Sequence, residues 1–193
     1  MMNMIMMNST ISNYKDRPKF IHVFKVEEHE HYKPLLLQAI KDMVDINNIK
    51  PNKQGYLYDF NISKVPRTYD KLFYQLLFPY IGELEETYGL RLKEKPTPWF
   101  QQYFQNSSFG WHQHGGHMAV VYYLELPEMS EATEFLNFDI NLKEGDLIFF
   151  PTFLVHRSPI IKSDKRKTII ATNIDFSVDR EMIEQYGVEH FRN

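Results

Sequence analysis

Apolar and polar positions alternate along Phe20-Ile21-His22-Val23-Phe24-Lys25-Val26, the period of a half-buried strand. The period then lengthens. Leu35, Leu36, Ala39, Ile40, Met43 and Val44 recur at helical spacing, behind the acids Glu27, Glu28 and Glu30 that suit a helix N-terminus. Residues 47–66 carry Asn47-Asn48, Pro51-Asn52, Gly55 and Pro66 and read as loop, with a short strand at Tyr56–Phe60. A second helix is expected from Thr68 as N-cap, with Leu72, Leu76, Tyr80 and Leu84 on one face and Gly89 as its stop. Pro79 lies inside that pattern and should kink or break it.

From about residue 97 the character changes to short β-like runs: Trp99–Phe104, His117–Leu126, Glu134–Asp139, Asp146–Pro151 and Lys167–Phe176. Turn signals separate them, among them Asn106-Ser107-Ser108, Gly115-Gly116 and Lys143-Glu144-Gly145. Two helices followed by many strands predict an α+β, mainly β, layout with the helices packed on one sheet of a sandwich or barrel. With no internal repeat and no low-complexity linker, one domain over 1–193 is expected. It comprises a mobile tail (1–17), a strand with supporting helices (18–96), a β core (97–176) and a C-terminal extension (177–193).

Composition sharpens this picture at a few points. Aromatic residues reach 15%, with 15 Phe and 12 Tyr, which favours sheet. The formal net charge is −3 and no basic block occurs, so a nucleic-acid footprint is not indicated. The absence of cysteine excludes disulfides, thiolate zinc sites and a cysteine nucleophile, and fits a reducing cytoplasm, the expected location. The Met-rich start lacks the basic residues and apolar run of a signal peptide. No segment approaches the roughly 18–20 apolar residues of a membrane span.

The candidate chemistry lies in the histidines. His112-Gln113-His114 ends a strand-like stretch, and side chains two apart on a strand point the same way. His156 follows the apolar run Leu147-Ile148-Phe149-Phe150-Pro151 and can return to the same mouth. Three neutral imidazoles on one side of an ion leave positions for other ligands. Spacing alone is weak: His29 and His31 show it too, and read as solvated positions at a helix start. His117 is a candidate pocket residue or a wall residue; His22 and His190 read as structural.

Order and company add to the spacing. Tyr103 to His114, with its loop and H-x-H, resembles the segment of prolyl-hydroxylase-like 2-oxoglutarate oxygenases that delivers the first metal ligands. Val121-Tyr122-Tyr123-Leu124 resembles the family's next strand. Gly145-Asp146-Leu147-Ile148-Phe149-Phe150-Pro151 resembles the strand before the distal His, and Arg166-Lys167-Thr168 its R-x-S/T. The resemblance covers roughly residues 97–176 and is nearest to a branch of small oxygenases in marine bacteria and phages, where H-x-H replaces H-x-D. It implies a double-stranded β-helix (jelly-roll, cupin-like) core, Fe(II) and 2-oxoglutarate as cofactors, and hydroxylation of a peptidyl residue or small metabolite. His112, His114 and His156 would be metal ligands. Arg166 would take the far carboxylate, because a guanidinium meets a carboxylate with two hydrogen bonds, with Thr168, Tyr123 and Tyr103 adding hydroxyl contacts. Lys165 and Lys167 stay open as substitutes for Arg166, and Glu125 or Asp139 as the source of a carboxylate ligand. Trp111 and Phe109 would line an entrance or pack. A three-His metal dioxygenase without a keto acid and a silent jelly-roll binding module are the competing readings.

Overall fold

In the computed structural model, residues 20–60 and 66–178 are described; the expectations for the 1–17 tail and for His190 fall outside them. The first strand, β1 (His22–Lys25), leads into helix α1 (His29–Ile46), strand β2 (Tyr56–Tyr58) and helix α2 (Asp70–Tyr88). Short strands β3 (Leu90–Leu92), β4 (Trp99–Tyr103), β5 (Phe109–His112) and β6 (Met118–Glu125) follow. After them come β7 (Glu134–Phe135), β8 (Asp146–Pro151), β9 (His156–Ser158), β10 (Lys167–Ile174) and β11 (Phe176–Val178). The strands expected from residue 97 onward are present. The 134–139 run is shorter than its pattern suggested, and β3, β9 and β11 are additions.

Six strands pair antiparallel in the order β1-β8-β6-β10-β4-β2, three more in the order β5-β9-β7, and β11 pairs with β3. The large sheet is apolar on both faces, and the alternation along its strands sorts the side chains. Val120, Tyr122, Leu124, Leu147, Phe149 and Ile170 join Leu36, Ile40, Phe73 and Leu77 of the helices. Their neighbours Ala119, Val121, Tyr123, Ile148, Phe150, Ile169 and Ala171 join Phe135 and Ile161 on the other side. This double burial explains the near-continuous apolar runs of β6, β8 and β10. No described helix is long and apolar enough to cross a membrane.

Three local expectations change. Helix α2 runs unbroken through Pro79. Pro79 and Gln75, whose carbonyl it leaves without a partner, both lie on the exposed side, where water can take the bond. Thr68 does not cap α2; its hydroxyl donates to the Ala39 carbonyl at 2.7 Å and ties the two helices together. His29 is buried rather than solvated, with Nδ1 at 2.7 Å from the Tyr122 hydroxyl, because α1 packs onto β6. Gly89 ends α2 in the left-handed region, as expected.

Candidate metal centre and its cavity

Antiparallel pairing of β5 with β9 sets His112 directly opposite His156. His114 lies just past β5, where its backbone N–H donates to the Thr152 carbonyl at 3.0 Å. The ligand atoms of the three imidazoles come within 4.8 Å of one another, and Nε2 of His114 and His156 are 3.2 Å apart. His112 holds the Gly110 carbonyl through Nδ1 at 2.8 Å, and His156 holds that of Leu154 at 2.8 Å. Those carbonyls fix the tautomers, so that the Nε2 lone pairs of both rings face inward, as a metal requires. Burial holds all three rings below the usual imidazole range, His114 and His156 at about 4. They are therefore neutral donors at pH 7, and a cation bound among them would take the place of the proton between His114 and His156, which would move to Nδ1 of His114. The donor set fits a transition-metal ion.

The imidazoles open onto a cavity of about 440 Å³. Its walls are largely aromatic, from Tyr56, Tyr58, Phe60, Trp99 and Phe109. Among the described residues that line it there is no carboxylate, and one of its two cations is Lys167. Lys167 is fully buried and donates to the Glu131 carbonyl at 2.5 Å and to Ser158 Oγ at 2.8 Å. Its ammonium sits 5.1 Å from the centre of the Tyr103 ring. Burial lowers its pKa to about 7, only partly countered by the nearby Glu131 carboxylate. The other cation, Arg157, is clamped by both carboxylate oxygens of Glu134 at 2.8 and 2.9 Å and lies over the Trp111 ring.

Strand parity decides where the other expected residues go. Lys167, Ile169 and Ala171 face the cavity. Arg166 and Thr168 lie on the opposite face of β10. There Arg166 forms a two-pronged pair with Glu125 at 2.7 and 2.9 Å, and the Thr168 hydroxyl also bonds Glu125. This corrects the placement expected for both: neither lines the cavity, and Lys165 is exposed. Glu125 shares sequence parity with Tyr123, yet it faces away, because the β6–β10 register shifts between Thr168 and Ile169. Such a bulge re-aims one side chain. Asp139 is exposed and stands apart from the histidine cluster. Tyr103 lines the cavity, 1% exposed. Tyr123 is buried behind it; its hydroxyl donates to Thr133 Oγ1 at 2.7 Å and accepts from the Thr133 N–H at 3.1 Å, so it positions a wall residue. Burial pushes the Tyr123 phenol up to about 12. Phe109 lines the cavity, Trp111 is exposed above it, and His117 lies outside it, 2.9 Å from Asp175. Ser158, Thr133 and the β2 tyrosines escaped the sequence reading. Ser158 alone carried a signal, as the residue two beyond His156.

No protein-family model and no curated protein matches the chain. Solved structures do share its fold, 124 chains in all. A prolyl-4-hydroxylase from Pseudomonas putida superposes with a TM-score of 0.57 at 12% identity, over 81% of this chain and 92% of that one. HygX from Streptomyces hygroscopicus, solved with nickel and 2-oxoglutarate, gives 0.57 at 9% identity, over 79% and 81%. A prolyl hydroxylase from Trichoplax adhaerens, in complex with a peptide fragment of hypoxia inducible factor, gives 0.59 at 10% identity, over 88% of each. At these identities the likeness is one of fold.

Proposed function

We propose that this chain is a 2-oxoglutarate- and Fe(II)-dependent dioxygenase, coupling oxidative decarboxylation of 2-oxoglutarate to hydroxylation of a peptidyl residue or a small metabolite. The observation that carries the reading is one cavity with three neutral imidazoles on one wall and a buried lysine on another. Ser158 lies two residues beyond His156 on β9 and holds Lys167. Same-face neighbours on a strand are about 7 Å apart, a span suited to a five-carbon dicarboxylate.

In this reading His112, His114 and His156 hold the iron through Nε2. Lys167 takes the far carboxylate in place of Arg166, helped by Ser158 and Tyr103. Tyr123 acts at one remove by fixing Thr133. A ferrous ion bound there supplies, with dioxygen and the keto acid, the oxidising power for hydroxylation. The protein's own work is to hold the keto acid between cation and imidazoles and to shield it with aromatic walls. Histidine at position 114 supports placing the chain in the small H-x-H branch.

The test is anaerobic reconstitution with Fe(II). Adding 2-oxoglutarate should produce a charge-transfer absorption, and admitting oxygen should convert 2-oxoglutarate to succinate. His156→Ala should lose both. Iron-loaded protein that shows neither signal would remove the reading. Oxygen uptake that needs no keto acid and is indifferent to Lys167→Met would favour the three-His dioxygenase instead.

A further inference from the structure

Beside the metal cavity lies a second one of about 430 Å³, and the two share Phe60 and Trp99 as a common wall. Strand β10 runs beneath both. Its cavity-side row passes from Lys167 through Ile169 and Ala171 in the first to Asn173 in the second. The second cavity has a different chemistry. Asn173 lines it, and its Oδ1 is buried with no hydrogen-bond partner among the described residues. An orphaned amide oxygen of this kind is costly unless a donor reaches it. Two carboxylates, Glu94 and Asp175, line the same space. Lys95 is turned onto the Tyr74 ring, its Nζ 3.8 Å from the centroid. His117 Nδ1 sits 2.9 Å from Asp175 Oδ1. Gly116, at φ +90, passes so close to Asp175 that a β-carbon there would lie 3.3 Å from its Oδ1. A side chain at that position would crowd the carboxylate and close the space.

We propose that this second cavity seats the part of the substrate beyond the carbon that is oxidised, and that this part carries a basic nitrogen. An amine or guanidine there donates to Asn173 Oδ1 and places its charge before Asp175 and Glu94. Ala171 of the metal cavity and Asn173 of the second are neighbours on one strand face, so the nitrogen sits about 7 Å beyond the part of the substrate that lies against Ala171. The substrate is therefore elongated, with an apolar middle against Trp99 and Phe60. This proposal rests on the oxygenase reading for which end of the substrate reacts.

The chain has two tryptophans, so Trp111→Phe leaves Trp99, on the shared wall, as the sole tryptophan, read selectively by excitation beyond the tyrosine band. The protein is loaded with Zn(II) as a redox-silent ion, saturated with 2-oxoglutarate and titrated with n-butylamine, n-butanol and n-butyrate. The amine should shift Trp99 emission at about tenfold lower concentration than either of the others. Asn173→Leu should abolish that preference. Asn173→Asp, which adds a carboxylate, should tighten the amine severalfold, a gain that misfolding does not produce. An amine that binds no better than butyrate, or an Asn173→Asp variant with no gain, overturns the proposal. Calorimetry with 2-oxoglutarate on the same samples separates the two readings. Keto-acid binding without amine preference sinks the second site alone; amine preference without keto-acid binding sinks the oxygenase reading and leaves the second site.

Discussion

Replacing Lys167 by Met removes the cation proposed to hold 2-oxoglutarate while keeping the volume of the side chain. Truncating one partner of a buried, hydrogen-bonded charge pair costs about 2–5 kcal/mol. The lysine does not deliver that in full. In the metal-free protein its pKa is about 7 and a bound cation lowers it further, so at pH 7 half or more of the molecules must take up a proton as the dianion binds, costing about 0.4 kcal/mol or more. The expected loss is thus near the lower part of the range, roughly 30- to 300-fold in Kd.

The same protonation gives a sign to the pH dependence. Between its folded pKa of about 7 and the ordinary lysine value, the free protein binds fewer protons than the complex. Affinity should then fall about tenfold per pH unit above 7 in the parent and stay flat in Lys167→Met. Titration calorimetry in buffers of different ionisation enthalpy measures the uptake, between half a proton and one at pH 7 and approaching one at pH 8. Arg166→Ala is the control. Arg166 pairs with Glu125 on the far face of β10, and its loss should change Kd by less than about threefold. Parent-like affinity in Lys167→Met, with loss in Arg166→Ala, would refute the assignment.

Other outcomes follow from the same geometry. Burial depresses the pKa of all three imidazoles, so from pH 6.5 down to about 4 the unfolded chain takes up protons that the folded one refuses. Stability of the metal-free protein should fall over that window, as read by urea denaturation, whereas from pH 7 to 8 it should rise by about 1 kcal/mol, because the unfolded chain keeps the proton that buried Lys167 gives up. Asp59 is fully buried and accepts from Arg67 Nε, the Tyr69 hydroxyl and the Phe100 N–H at 2.8, 2.7 and 2.8 Å. Asp59→Ala should destabilise by about 3–5 kcal/mol, because it strands the guanidinium, and denaturation should show it even with the metal site intact. His114→Asp should keep metal binding but weaken 2-oxoglutarate by roughly tenfold to a hundredfold, since a new carboxylate beside the ion repels the incoming dianion; tighter keto-acid binding would show that charge at the metal does not govern the affinity.

Much of this was legible in the sequence, and the parts that were not share one cause. The long runs of β6, β8 and β10, the two helices and the Gly89 stop are all encoded locally. So was the pairing of His112-Gln113-His114 with His156, because the motif sits at the end of a strand. What local pattern does not encode is which face of a strand looks inward. Arg166, Thr168 and Ile170 do share a face, but Ile170 belongs to the helix-side core. A lysine at the head of Thr168-Ile169-Ile170-Ala171 reads as a solvated charge until the sheet is seen to be covered on both sides. Glu125 shows the same limit, since one bulge reverses its direction. His29 was misread because burial of a helix start depends on what α1 packs against.

The all-imidazole centre and the buried lysine make sense as a pair. A carboxylate ligand cancels one charge of a divalent ion; three imidazoles cancel none. The described lining of the cavity offers no carboxylate in compensation, and Arg157 is already neutralised by Glu134. A metal-loaded cavity is then strongly positive, and burial has made its lysine reluctant to hold a proton. Each charge raises the cost of the other until an anion with two carboxylates, set a strand repeat apart, arrives to meet both. A monoanion satisfies one end and leaves the other uncompensated. In the proposed reading, selectivity for a dicarboxylate would thus come first from the separation of two positive groups in a low-dielectric space.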